Sequence, residues 1–129
     1  EREAVDGLVA RVADARCFSM AGRTTLRELM VLYCRAAVLV TNDSGPAHFA
    51  ALTPVEVVTL FGPETPRLFG VVGPRSHVLW KQLPCSPCVS AYNGRLSPCT
   101  DNLCMQAITV GEVFDIVAAI LGRGSTERG

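Results

Sequence analysis

Apolar positions along the chain follow two rhythms. Val5, Leu8, Val9 and Val12 are spaced three and four apart, which predicts one face of a helix over about residues 1 to 15. Thr25 is followed three residues later by Glu28, the capping-box pattern of a helix start. Leu26, Leu29, Met30 and Tyr33 extend that helix inward to about Arg35. Gly111 to Leu121 repeats the helical spacing through Val113, Ile116, Val117, Ile120 and Leu121. Between these helices lie short unbroken apolar runs at Cys17 to Met20, Ala37 to Thr41, Val55 to Phe61 and His77 to Trp80. Unbroken runs of that length suit strands covered on both faces, as in a parallel sheet. Asn42-Asp43-Ser44-Gly45-Pro46 opens a further small-residue helix that ends near Leu52. Helices alternating with buried strands predict an α/β fold, a Rossmann-like domain with a mainly parallel sheet. Residues 83 to 105 contain Pro84, Pro87, Gly94 and Pro98 and read as an irregular loop, and residues 122 to 129 as a frayed tail.

Composition narrows the function. The chain has 129 residues, 49% of them apolar and 19% charged, enough for the core of one domain. Twelve Lys and Arg balance twelve Asp and Glu, so the basic surplus that holds nucleic acid is missing. No apolar run approaches the roughly 18 to 20 residues that span a bilayer. The opening Glu-Arg-Glu-Ala-Val has neither an initiator Met nor a basic signal region and reads as the interior of a longer chain. The expected compartment is the cytoplasm, with peripheral attachment at the inner membrane left open. Cys17 and Cys34 sit in apolar stretches as small hydrophobes. Cys85, Cys88, Cys99 and Cys104 form two close pairs in the Pro-rich loop. Their spacing allows a structural four-thiolate zinc, and equally thiols that stay reduced or pair with one another.

In parallel sheets ligands bind beyond the carboxyl ends of the strands, which directs attention to the loops after Met20, Thr41 and Phe61. Thr41-Asn42-Asp43-Ser44-Gly45-Pro46-Ala47-His48 is the strongest of these. A strand that turns into a helix through Ser-Gly leaves amides free for an anion, and phosphate is the natural guest. Pro46 has no N–H, so the expected donors are the amides of Ser44, Gly45 and Ala47 with the Ser44 hydroxyl, and His48 follows one turn later. Asp43 would repel a diphosphate and suits the neutral hydroxyls of a sugar. The plainer alternative is a capped helix with His48 packed inside. In Gly62-Pro63-Glu64-Thr65-Pro66, Thr65 offers a hydroxyl and Gly62 a close backbone approach, or the segment is a rigid turn. His77 and Trp80 read as packing residues. Tyr92-Asn93-Gly94-Arg95 has turn chemistry in Asn-Gly and could lie over the cleft.

Thr41 to His48, then Leu60-Phe61-Gly62-Pro63-Glu64-Thr65-Pro66, resemble the C-terminal half of glycosyltransferase family nine, the ADP-heptose lipopolysaccharide heptosyltransferases. Ala21-Gly22-Arg23-Thr24-Thr25-Leu26-Arg27-Glu28-Leu29, and Cys85-Ser86-Pro87-Cys88 leading to Cys104-Met105, match in the same order. The resemblance implies the later part of a GT-B nucleotide-sugar domain across residues 1 to 129. It also implies an ADP-sugar donor bound near Asn42 and the loop that follows. Arg23 would face the leaving diphosphate, no metal would be required, and a missing N-terminal domain would supply the base and the glycan or glycolipid acceptor. Leu52-Thr53-Pro54-Val55-Glu56-Val57 departs from the commoner pattern of a Gly before Thr-Pro, which leaves the donor sugar open. The competing reading is a non-catalytic α/β module whose cysteine loop binds zinc and docks a partner.

Overall fold

The computed structural model describes residues 1–126 and contains two compact units, Glu1–Leu32 and the chain from Tyr33 onward. The first unit holds α1 (Arg2–Val12) and the opening of α2 (Leu26–Arg35). α1 buries no residue, because Leu8 and Val12 remain exposed beside half-buried Val5 and Val9. Arg2 ties its start to the following loop, donating to the carbonyls of Ala21 and Gly22 at 3.1 Å each. Cys17 to Met20, predicted as a strand, forms none. A strand persists only where a neighbour takes up its backbone groups. The sheet of the described residues offers this segment no partner, and Phe18 stays 71% exposed. α2 begins as its capping box predicts. The Thr25 amide donates to Glu28 Oε2 at 2.7 Å and the Glu28 amide to Thr25 Oγ1 at 3.3 Å. Of its four inward positions, only Tyr33 is buried.

The second unit carries β1 (Val38–Asn42), α3 (Gly45–Ala50), β2 (Glu56–Phe61), α4 (Pro66–Phe69), β3 (Ser76–Trp80), α5 (Leu103–Gln106) and α6 (Val110–Thr126), with a short 3-10 turn at Ala91–Asn93. The strands form one parallel sheet in the order β1-β2-β3, with Val40 opposite Val58 and Val58 opposite His77. Consecutive residues of a strand point to opposite faces. Val57, Val58 and Thr59 are all at most 2% exposed, so β2 is covered on both faces. That double burial is why its sequence runs apolar without alternation. α3 and α6 pack on β1 and β2, and α5 packs on β2. His77 and Glu56, on adjacent strands, pair at 2.7 Å, so His77 belongs to the sheet's structure.

α6 starts slightly before the predicted Gly111 because Thr109 and Glu112 make a second capping box. The Thr109 amide donates to Glu112 Oε2 at 2.9 Å and the Glu112 amide to Thr109 Oγ1 at 3.3 Å. The helix continues past Leu121 to Thr126, where the sequence predicts a frayed tail; the remainder of that tail, 127 to 129, lies outside the described residues. No helix of the described residues is long and apolar enough to cross a membrane.

Candidate functional site

β1 and β2 end side by side, with Asn42 opposite Leu60. Asp43 and the Gly62-Pro63-Glu64 turn therefore leave the sheet together beyond its carboxyl edge, where parallel sheets place their ligands. They border a cleft of about 510 Å³, and the cysteine-rich loop supplies its opposite wall through Val89, Arg95, Asn102 and Met105. That wall is pinned to the strand ends. Pro63 O accepts the amides of Cys88 at 2.9 Å and Val89 at 3.0 Å. The Ser86 hydroxyl donates to Gly62 O at 2.7 Å and receives the Trp80 indole N–H at 3.3 Å. Trp80, expected only to pack, thus also anchors the loop.

The carboxyl group of Asp43 titrates above its ordinary range. Partial burial is the first cause, followed by the charge of Glu64 and a hydrogen bond shared with it, while His48 and Arg95 pull the other way. The Glu64 side chain is 14% exposed, and its Oε1 lies 3.7 Å from Arg95 Nε. The Arg95 guanidinium in turn covers the Phe69 ring, 5.2 Å from its centroid.

The expected phosphate loop is altered in detail. Ser44 precedes α3 in an extended conformation and does not cap it; its hydroxyl donates to Asn42 O at 3.2 Å. Ala47 is not a ligand donor, because its amide already donates to Ser44 O at 3.1 Å and the residue is buried. Among the described residues nothing engages the Ser44 or Gly45 amides, and these two remain available. His48 is exposed and close enough to Asp43 to act on its charge, so the alternative of a His48 packed in the core does not hold. Gly62 is needed for a different approach from the one expected: a Cβ there would meet Met105 Sδ at 2.6 Å, so its open side admits Met105. Thr65 caps α4, accepting the Arg67 amide at 3.3 Å, which is the rigid-turn reading. Arg23 is an exposed residue of the first unit whose amide donates to Met20 O at 3.0 Å.

All six cysteines are free thiols, and Cys85, Cys88, Cys99 and Cys104 line one further cavity of about 300 Å³. Their surroundings already use the sulfur atoms. Cys99 Sγ accepts the Asn102 amide at 3.3 Å, and Cys88 Sγ lies 3.3 Å from Ser97 Oγ. Among the described residues no three His, Cys, Asp or Glu side chains converge as a group that could hold a metal ion.

A family model described as glycosyltransferase family 9 (heptosyltransferase) matches residues 1–96. The chain belongs to this family. Among curated proteins it is similar to lipooligosaccharide heptosyltransferase 2 of Haemophilus influenzae, 39% identical over 51 residues that cover 40% of this chain and 15% of that protein. It is also similar to lipopolysaccharide heptosyltransferase 2 of Salmonella typhimurium, 40% identical over 52 residues covering 40% of this chain and 15% of that protein. Lipopolysaccharide heptosyltransferase 1 of Pseudomonas aeruginosa is 32% identical over 89 residues, covering 69% of this chain and 24% of its own. The chain therefore spans a quarter or less of these relatives. No solved structure matches it. The family match ends at Leu96, so it takes in Asp43, Glu64 and Arg95 but not Met105.

Glu64, Val89, Asn102 and Met105 are cleft residues that sequence reasoning does not single out, whereas Arg95 belongs to the turn that the sequence offers as a cover of the cleft. Glu64 stands inside the Gly62 to Pro66 motif and Arg95 beside Asn93-Gly94. No local pattern signals that a loop some thirty residues later in the chain folds back over Gly62.

Proposed function

We propose that this chain is the donor-binding part of an inverting glycosyltransferase that uses an ADP-activated, heptose-like sugar to build lipopolysaccharide core or a related glycan. The observation that carries the reading is the juxtaposition of the unengaged Ser44 and Gly45 amides with the Asp43 carboxyl group at the end of β1. The amides suit a diphosphate, and neutral donors aimed at developing negative charge help a nucleotide diphosphate to leave. Asp43, partly buried, suits sugar hydroxyls. His48 stands near enough to favour negative charge at the same place. The catalytic base and the acceptor would come from parts of the enzyme outside these residues, a reading supported by the small share of each relative that this chain covers. The docking-module alternative rests on a zinc loop and has no comparable support.

Titration of ADP against the wild type and Gly45→Val tests this reading. A Cβ at Gly45 meets only Phe49 Cε2 at 3.7 Å, an ordinary contact, so the backbone there has room for one. With the diphosphate on this loop, the added side chain blocks approach to the amide, and ADP affinity falls by at least about tenfold, equivalent to ~1.4 kcal/mol. Equal affinities for two proteins with matching melting curves would put the phosphate elsewhere.

A further inference from the structure

Arg95 and Glu64 are the two charged residues of the cleft to which the donor reading gives no task. Arg95 reaches the cleft from the cysteine-rich loop. Gly94 and Arg95 both take left-handed backbone angles, φ 64° and 59°, and the tight turn is consistent with the return of the side chain over Phe69 and toward Glu64. Glu64 Oε1 is buried and makes no hydrogen bond among the described residues. The guanidinium at 3.7 Å is the counter-charge facing it. We infer that Glu64 and Arg95 are positioning residues of the donor-sugar subsite: Arg95 pairs with Glu64, and Glu64, which lines the same cleft as Asp43, orients the Asp43 carboxyl group that meets the sugar hydroxyls.

Charge favours this arrangement. Two unpaired carboxylates and a diphosphate in one cleft would repel strongly, and the Arg95 guanidinium facing Glu64 offsets one of those charges. Burial and Glu64 raise the proton affinity of Asp43, while His48 and Arg95 act the other way. Geometry adds direction. Glu64, acting on Asp43 in the cleft that both residues line, restricts the orientation of the Asp43 carboxyl group. A sugar with neighbouring hydroxyls gains from that orientation, while ADP, which carries no sugar in this subsite, does not.

This inference rests on the donor reading, and the experiment separates the two. The readout is the ratio of affinities for ADP-heptose and for ADP, measured by calorimetry on wild type, Glu64→Gln, Arg95→Gln, Asp43→Asn and the double variant Asp43→Asn/Glu64→Gln. Glu64→Gln should lower the ratio about tenfold while leaving ADP affinity within about twofold, the scale of losing an aligned hydrogen bond to a charged group. In the Asp43→Asn background the same change should move the ratio less than about twofold, because a residue that acts through Asp43 has nothing left to act on. Arg95→Gln should follow Glu64→Gln, and Arg95→Lys should recover part of the loss. An unchanged ratio in Glu64→Gln, or an equal drop with and without Asp43, overturns the inference. A wild type that binds no ADP overturns the donor reading and takes the inference with it. Melting curves of each variant identify any loss that comes from misfolding, and if Glu64→Gln fails to fold, Arg95→Gln decides the same question.

Discussion

Asp43 stands partly buried where β1 leaves the sheet. Its carboxyl group is displaced above the ordinary range first by partial burial and then by Glu64. The linkage between protonation and folding gives the sign. A carboxyl group that binds its proton more tightly when folded contributes stability below its ordinary value near 3.8, and that contribution is lost as pH rises through the raised value. At neutral pH the empty cleft is therefore less stable than it would be with a neutral group in this place. Asp43→Asn should raise the melting temperature at pH 7 without nucleotide, and the gain should shrink toward pH 4. A variant less stable than wild type by the same margin at both pH values would mean that Asp43 serves the fold instead. Stability gained by removing a site group at the cost of binding is the trade-off expected of a functional residue.

At the scale of elements, α6 is fixed by its first turn. Thr109 and Glu112 cap it reciprocally, and Glu112 also pairs with Lys81, the residue directly after β3. Lys81 is the largest cause of a Glu112 pKa lowered to about 2, with the Thr109 amide and hydroxyl adding to it. Here the sign is opposite to that of Asp43. The contribution is present above the ordinary value of 4.5 and lost as pH falls toward about 2. Thr109→Ala should cost about 1 kcal/mol in denaturant unfolding at pH 7, the usual worth of a helix cap. Lys81→Met should flatten the acid limb of the stability profile. A Lys81→Met profile that superimposes on wild type between pH 5 and pH 2.5 would show that the ion pair joins nothing of consequence.

At the scale of the whole molecule, what is legible in the sequence is what local physics decides. The capping box at Thr25, the buried runs that form β1, β2 and β3, and the helical face around Ile116 and Ile120 each carry their own signal. Thr109-Val110-Gly111-Glu112 carries the same signal as Thr25 to Glu28, a signal that the expected start at Gly111 does not use. Asp43, Ser44 and Gly45 are recognisable because a strand end and a helix start adjoin them in sequence. Ala47 fails as a donor because its amide closes a turn onto Ser44 O, which depends on the exact backbone path. Arg95, Met105 and the anchoring of Ser86 to Gly62 depend on tertiary folding of an irregular loop, for which periodicity has no rule. Cys17 to Met20 shows the converse, an apolar run with strand composition that needs a neighbouring strand to become one.

The sheet itself leads to the last expectation. Among the described residues β1 pairs only with β2, so its other edge keeps unpaired backbone groups, and Val40 on that strand is 43% exposed. An open edge with apolar side chains is a template for pairing with another strand, and natural proteins protect such edges with charge. β1 carries none, since its sequence is Val-Leu-Val-Thr-Asn. The 129-residue chain should therefore self-associate, with a sedimentation coefficient that rises with concentration. Placing a charge at the exposed position, Val40→Lys, should shift that rise to concentrations about tenfold higher, because the lysine would have to be desolvated against a second copy. Wild-type chain that sediments as a monomer at every concentration would show that this edge is already protected, and the β1 strand would then be a less exposed border of the sheet than its sequence and exposure imply.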